Sequence, residues 1–412
     1  MKRSFVPHRG FTLLEVMISS VIGVIVLAVG LAVSLQMQRR ALLEEQTMQA
    51  QVVGRTVKDL IATDLQRAGS GMGNAPITFA DGDLRHAIQV WTEPDLSVEH
   101  APFFAADPTF SPAPAGTPYA GYTSDVLQLY WGDTRGMVVL AGCAGGNTTV
   151  RMADATTFCT APNPPVTLNP IAGATPTVIV NPKQNLACRA ELTQVDPGTR
   201  RITATPGTAG APINNGLCGP QAAPVAGVWS ARTGPEWEPW SVLRFQGGAY
   251  RVNWQTGTPT LQYLPPGGGA WVTVSEDVER MKVRQAVIDL ADPNEDYRWF
   301  PDPAQGRLLA IDQCAIGTCT VDPDPAPAGA PDNDAELRAM LRQRVREVEV
   351  TLTIRTQRQD REVVESTPPN VTDEEDFPVD GYKRRTLTFR VTPRNFVMAG
   401  RQPDLGAGGV GP

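Results

Sequence analysis

Gly10-Phe11-Thr12-Leu13-Leu14-Glu15-Val16-Met17-Ile18 leads into an uncharged run from Val16 to Leu35, and the reading of this stretch decides the rest of the chain. As a helix, a run of that length rises about 30 Å, the thickness of a bilayer's hydrocarbon core. Lys2, Arg3, His8 and Arg9 precede it, a positive flank of the kind that stays cytoplasmic. The chain is therefore expected to be anchored in a membrane, with everything after the span outside the cytoplasm. A cleaved secretory signal would end its apolar region at a small-residue, A-x-A-like site. Here the run ends at Leu35 and continues Gln36-Met37-Gln38-Arg39-Arg40. A soluble core helix has no need of so long an uncharged run. A plain signal anchor accounts for the span but not for Glu15, because an unpaired acid in an apolar stretch is costly.

Gly10, Phe11, Thr12-Leu13-Leu14-Glu15, the apolar run and the basic leader, all in register, resemble the class III signal of type IV prepilins. The resemblance implies that a prepilin peptidase cuts between Gly10 and Phe11 and that Phe11 becomes an N-methylated amino terminus. It further implies that Glu15 meets the positive amine of a neighbouring subunit's first residue, so that the acid is paired once subunits assemble. A charge that gains its partner only on assembly has a physical reason to stand inside an apolar helix.

Cleavage after Gly10 would leave 402 of the 412 residues, enough for one large or two packed β-rich subdomains. The formal charge is −7, and loss of Lys2, Arg3 and Arg9 leaves 33 basic against 43 acidic side chains. Such an acidic balance provides no overall field for nucleic acid or anionic lipid. The 38 glycines and 37 prolines point to many turns and short strands. The expected fold is α+β: a long N-terminal helix packed on a large, antiparallel β-rich, loop-rich head.

All six cysteines, Cys143, Cys159, Cys188, Cys218, Cys314 and Cys319, lie beyond the span. An even count outside the cytoplasm favours disulfides. Cys314 and Cys319 can close a local loop, and the other four allow three pairings, of which Cys143 with Cys159 and Cys188 with Cys218 is the sequence-local one. A zinc site lacks C-x-x-C spacing and nearby histidines, so no metal and no cofactor is expected.

Past the span the helix continues. Leu42, Val53, Val57, Leu60, Ile61 and Leu65 recur largely at three- and four-residue steps, and Gly69-Ser70-Gly71 supplies a stop. The expected organisation is a cleaved leader (1–10), the membrane and assembly half of the helix (11–37), its amphipathic half (38–69) and the head (70–412), with a disordered tail from about residue 400. Gly23 and Gly30 are either close-packing sites or ordinary membrane-helix glycines. Strands are expected at 86–91, 125–131 with 137–141 as its partner, 177–180, 188–195, 200–204, 240–245, 249–254, 260–264, 271–274, 278–290, 345–356 and 382–392. Gly247-Gly248 reads as a hairpin turn, and Glu336 to Arg344 as a short helix. Asp292 to Asp334 reads as an Asp- and Pro-rich insertion.

Four segments extend the resemblance to a PilW-type minor pilin: Asp64-Leu65-Gln66-Arg67-Ala68-Gly69, Ser124-Asp125-Val126-Leu127, Asp277 to Val283, and Arg385 to Asn395. That family's subunits prime pilus assembly and sit at or near the tip. The implied partners are the prepilin peptidase, major and other minor pilins, the pilus assembly platform, a tip adhesin and the inner membrane. The implied setting is an inner-membrane single span with a periplasmic head, then the cell-surface pilus, supporting adhesion and twitching motility. The stretches from Gly142 to Gly227 and around Cys314 depart from the pattern. Two other readings share parts of it: a GspJ-like minor pseudopilin of type II secretion, and a membrane-anchored extracytoplasmic enzyme or binding domain.

No catalytic constellation supports an enzyme. Only His86 and His100 remain after the leader, with no G-x-S-x-G elbow, P-loop or H-E-x-x-H. Asp322, Asp324, Asp332, Asp334 and Glu336 are oxygen donors without EF-hand spacing, and are read as solvated loop charge. Asp373 to Asp376 is read as a mobile acidic loop. Arg338, Arg342, Arg344, Arg346, Lys383, Arg384 and Arg385 make either a basic face or, with Glu347 and Glu349, an ion-paired interface. Trp229, Trp237 and Trp240 are core by default.

Overall fold

The computed structural model of the chain describes residues 12–79, 84–98, 104–116, 118–119, 121–141, 157–161, 168, 175–181, 186–205, 240–265, 269–289, 296–319, 331–366, 368, 371–373 and 376–396. One unbroken helix, α1 (Leu13–Arg67), starts at the Thr12 cap and stops at Ala68. At 1.5 Å per residue it is about 80 Å long. Among the described residues nothing covers its first part: Leu13, Leu27 and Leu31 are 80%, 67% and 63% exposed. From Ala50 onward one stripe is buried, made of Ala50, Gly54, Val57, Ile61, Asp64, Leu65 and Ala68.

That stripe differs from the expected one. Val57, Ile61 and Leu65 are buried and Val53 is half-buried, but Leu42 and Leu60 stay exposed. Small residues take their place because the helix lies so close to a sheet. A Cβ added at Gly54 would stand 2.5 Å from the Cδ1 of Ile354.

The sheet beneath α1 has four antiparallel strands in the order β13 (Tyr297–Phe300), β12 (Val278–Ile288), β14 (Val345–Arg355) and β15 (Arg384–Val391). Alternation along these strands sends Met281, Val283, Val348, Val350, Leu352, Ile354 and Phe389 into one core with Val57, Ile61 and Leu65. Two short helices flank this sheet, α2 (Asp334–Gln343), which runs into β14, and α3 (Arg361–Ser366).

A second, 11-stranded sheet closes the same core from the other side with Leu127, Leu129, Tyr250 and Val252. Its early strands are β1 (Ile77–Thr78), β2 (Leu84–Arg85), β3 (Ile88–Trp91), β4 (Val126–Val139) and β5 (Thr157–Cys159). Then come β6 (Thr175–Asn181), β7 (Leu186–Asp196), β8 (Arg201–Thr205), β9 (Ser241–Asn253), β10 (Thr260–Leu264) and β11 (Val272–Ser275). Its main path is β11-β10-β9-β6-β7-β1-β2, with β3 and β4 joined through β9, and β5 and β8 through β7. Every ladder is antiparallel except β1 with β7. The α+β class with a long N-terminal helix and a large antiparallel-rich head is therefore what the chain adopts.

Two expected hairpins are single strands. Residues 125–131 and 137–141 do not pair with each other; both belong to β4, which keeps β9 as its partner across a register shift between Asp133 and Val138. Gly247-Gly248 is no turn, since β9 runs straight through it. One edge of β9 follows β4, and the other passes from β6 to β10 at these glycines. Gly247 has φ +138°, and a Cβ there would lie 2.1 Å from the Leu129 carbonyl oxygen. Close backbone approach, and not chain reversal, is why glycine stands there. The Asp- and Pro-rich insertion contains the unexpected β13, and the polar stretch after β14 contains α3. Trp240 is a core residue, whereas Trp229 and Trp237 fall outside the described residues.

Candidate assembly surface and its socket in the head

Thr12 and Glu15 form a reciprocal cap at the start of α1. The Glu15 N–H donates to Thr12 Oγ1 at 3.3 Å, and both the Thr12 N–H and its hydroxyl donate to Glu15 Oε2 at 3.0 Å. This satisfies two of the helix's first donors and leaves Glu15 on the exposed surface. Gly10 and Phe11 lie outside the described residues. The apolar side chains from Leu13 to Leu35 are exposed, and a Cβ added at Gly23 or Gly30 would meet nothing within 4 Å. Neither glycine packs against another described residue of this chain. The helix is long and apolar enough to cross a membrane by length and composition.

The other end of α1 is clamped. Tyr250 donates its hydroxyl to Asp64 Oδ2 at 2.5 Å. Burial pushes the Asp64 carboxyl above its ordinary value, against the opposing Tyr250 hydrogen bond and the Arg67 charge. Asn395 Nδ2 donates to the Ala68 carbonyl at 3.0 Å, and the Gly69 N–H to the Tyr130 carbonyl at 2.9 Å. The helix terminus thus gives its orphan backbone groups to the last residues of the head and to β4.

A second tie joins the two sheets. The Asp125 N–H donates to the Met281 carbonyl at 2.9 Å, and the Val283 N–H donates to Asp125 Oδ2 at 2.8 Å. Lys282 Nζ reaches Asp125 at 3.2 Å, and the Met281 N–H donates to Ser124 Oγ at 3.2 Å. Burial pushes the Asp125 carboxyl up, with the Lys282 charge and the Val283 N–H pulling the other way.

A third tie is ionic. Arg384 holds Glu279 with a fork of 2.6 and 2.9 Å and Asp380 with two contacts of 2.7 Å. Tyr119 donates to Asp380 at 2.5 Å and Tyr122 to Glu279 at 3.2 Å. The side chains of Glu279 and Arg384 are 0% and 1% exposed, so this pair is fully desolvated and each charge depends on the other.

Of the four segments singled out in the sequence, the first tie joins 64–69 to 385–395 and the second joins 124–127 to 277–283, while the third brings Arg384, one position before the last segment, onto Glu279 of 277–283. Sequence reading placed them along the chain but missed their convergence, because their contacts span from 105 to 327 positions. The buried Asp64, Asp125 and Glu279 were the available signal, being acids inside otherwise apolar or strand-forming stretches.

The remaining candidates have local tasks. His86 is 1% exposed, and neither ring nitrogen has a hydrogen-bond partner among the described residues. Burial first, then the Arg342 charge, lowers its pKa to about 3, so it stays neutral. His100 lies outside the described residues, as do Asp322 and Asp324. Asp332, Asp334 and Glu336 organise the start of α2: the Asp332 N–H donates to Glu336 Oε2 at 2.8 Å, and the Ile316 N–H to Asp334 Oδ1 at 2.9 Å. Among the described residues no group of three or more potential ligands is placed to hold a metal. Asp373 accepts the Phe377 N–H at 2.8 Å and so caps a turn.

The suspected basic face is not one surface. Arg344, Arg346 and Arg384 are buried, and Glu349 sits between Arg284 at 3.0 Å and Arg390 at 2.7 Å across three strands. The ion pairing runs within the chain. Cys314 is bonded to Cys319, and Cys159 and Cys188 are also disulfide-bonded, so no described cysteine is free. Cys143 and Cys218 lie outside the described residues, and the pairing among these four stays open.

The family model of the prokaryotic N-terminal methylation motif matches residues 7–31. No curated protein and no solved structure matches the chain. The motif spans Gly10, Phe11 and Glu15 and the apolar run as far as Leu31, and it supports a type IV pilin-like prepilin leader on a protein of pilin or pseudopilin type.

Proposed function

We propose that the chain is a minor pilin of a type IV pilus, of the PilW type, which primes assembly and sits at or near the tip. The observation that carries this reading is the division of α1. One continuous helix has an apolar half that none of the described residues covers and a half locked into a large head. A helix apolar all round is stable in lipid or among other apolar helices, and a subunit that moves from one to the other needs this construction. In this reading residues 1–10 are removed by prepilin peptidase and Phe11 is N-methylated. Residues 11–37 then form the membrane and assembly half, 38–69 the docked half and 70–412 a periplasmic head. Glu15 pairs with the amine of a neighbour's Phe11, and the six cysteines are oxidised. The protein serves as a structural subunit and catalyses no reaction, with other pilins, the assembly platform and a tip adhesin as partners in adhesion and motility.

A GspJ-like pseudopilin is the second reading, since leader and helix are common to both. Deleting the gene distinguishes them: loss of pili with secretion intact supports the first, and the reverse supports the second. Mass spectrometry of the mature amino terminus tests both together. The expected terminus is a methylated Phe11; an intact Met1 terminus in cells with an active peptidase would remove the pilin-type reading altogether.

A further inference from the structure

A strand at the edge of a sheet turns unpaired N–H and C=O groups outward, and a long open edge is a template for another chain. Among the described residues six strands pair with a single other strand, and five of them, β2, β3, β5, β11 and β13, have four residues or fewer. β13 is also capped, because Arg307 Nε donates to the Trp299 carbonyl at 3.1 Å. The sixth, β15, has eight residues and about 26 Å of edge.

The register fixes which of its groups are open. The Thr356 N–H donates to the Lys383 carbonyl at 2.9 Å, in step with the pairing of Arg355 to Arg384, so Lys383 faces β14. Alternation then turns the N–H and C=O of Arg384, Thr386, Thr388 and Arg390 away from the sheet. Among the described residues no hydrogen bond reaches these groups. Arg385, Thr386, Thr388 and Arg390 are exposed. The strand itself is held firmly: Leu387 Cδ2 would lie 3.6 Å from a Cβ at Gly54 of α1, and Phe389 and Val391 belong to the core.

Charge brackets this edge. Lys383 and Arg385 stand at one end and Arg390 and Arg394 at the other, all exposed, with the uncharged Thr386-Leu387-Thr388-Phe389 between them. Lys383, Arg385 and Arg394 have no ion pair among the described residues. A second copy of β15 is a poor occupant. Antiparallel pairing about Leu387 would set Arg384 opposite Arg390, and parallel pairing in register would set Arg385 beside Arg385. A strand with acids at both ends and β-branched residues between them meets the open backbone groups and the free charges together.

We propose that the outer edge of β15 is a docking site for an extended, acid-flanked segment of a different protein, which joins the four-stranded sheet as a fifth strand. Backbone hydrogen bonds supply the affinity, and the flanking acids select the partner. The edge belongs to the head, so this inference stands apart from the leader and from the Glu15 pairing proposed above.

The test uses the detergent-solubilised full chain and a fluorescent peptide of alternating threonine and valine with two glutamates at each end. It should bind with a Kd of about 1 mM or tighter and slow hydrogen exchange in residues 384–391. Lysines in place of the glutamates, or Arg385→Glu in the protein, should weaken binding about fivefold or more. N-methylation of two adjacent central residues blocks both edges of the peptide and should abolish binding. Thr388→Pro should do the same, since it fills an outward position without removing a bond to β14, and its head should unfold at the wild-type denaturant midpoint. Absence of binding by the acidic peptide would overturn the proposal, as would equal binding of the lysine or N-methylated peptide, or protection only outside β15. If Thr388→Pro fails to fold, Arg385→Glu and the N-methylated peptide still decide it. A mature Phe11 terminus with no peptide bound removes this docking edge alone and leaves the pilin-type reading standing.

Discussion

The two halves of α1 share one backbone and solve opposite problems. Residues 13–35 carry no charge except Glu15 and are exposed, and Glu15 and Ser20 are met inside the helix, by the Thr12–Glu15 cap and by Ser20 Oγ donating to the Met17 carbonyl. Residues 50–68 are apolar along one stripe, which narrows to Ala50 and Gly54 where the sheet comes closest. The difference teaches where each half gets its stability. The docked half is held by the head's core and by the socket of Asp64, Ala68 and Gly69, while the free half depends on what surrounds it. Changes in the socket should therefore be read out in the head's unfolding, and changes in the free half only in the membrane or the filament.

The largest effect expected from breaking this contrast is at the ionic tie. Arg384→Ala leaves Glu279 buried with its bidentate partner gone, and loss of one member of a buried pair costs about 3 to 5 kcal/mol. Denaturant unfolding of the detergent-solubilised full chain, followed by Trp fluorescence, should show this loss. A truncation in the free half such as Leu27→Ala should leave the same curve in place. A smaller effect is expected at the closest approach. Gly54→Leu forces Ile354 and Leu387 aside and should cost about 1 to 3 kcal/mol by overpacking. Gly30→Leu, in open space on the same helix, should not lower the head's unfolding midpoint.

Much of this was legible in the sequence, and the limits follow from particular residues. The helix could be read end to end because an uncharged run, Val57-Leu60-Ile61-Leu65 periodicity and the Gly69-Ser70-Gly71 stop agree. Which residues face the sheet was less legible, since Leu60 is the more apolar choice and Gly54 the more compact one, and only the partner Ile354 decides between them. Glycine misled again at Gly247-Gly248, where the same residue serves turns and close backbone approach alike. In β4, residues 125–131 and 137–141 read as two paired strands, but their shared pairing to β9 makes them one. The strand β13 was hidden by the Asp- and Pro-rich composition around Tyr297–Phe300. The socket was least legible, because Asn395 and Ala68, or Asp125 and Val283, meet only through tertiary structure. Of the exposed half the sequence shows the motif from Gly10 to Glu15, and the partners proposed for it are other subunits, which this chain's sequence does not contain.

The central claim is that the free half of α1 is completed by assembly and the docked half by the head, and Glu15→Ala tests it most directly. The variant should be processed after Gly10, should stay in the membrane fraction and should unfold in its head at the wild-type denaturant midpoint. Its amount in sheared filaments, measured against the membrane-held pool, should fall several-fold. Wild-type incorporation of Glu15→Ala, or a shifted unfolding midpoint of the head, would contradict the division of the helix into an assembly half and a folding half.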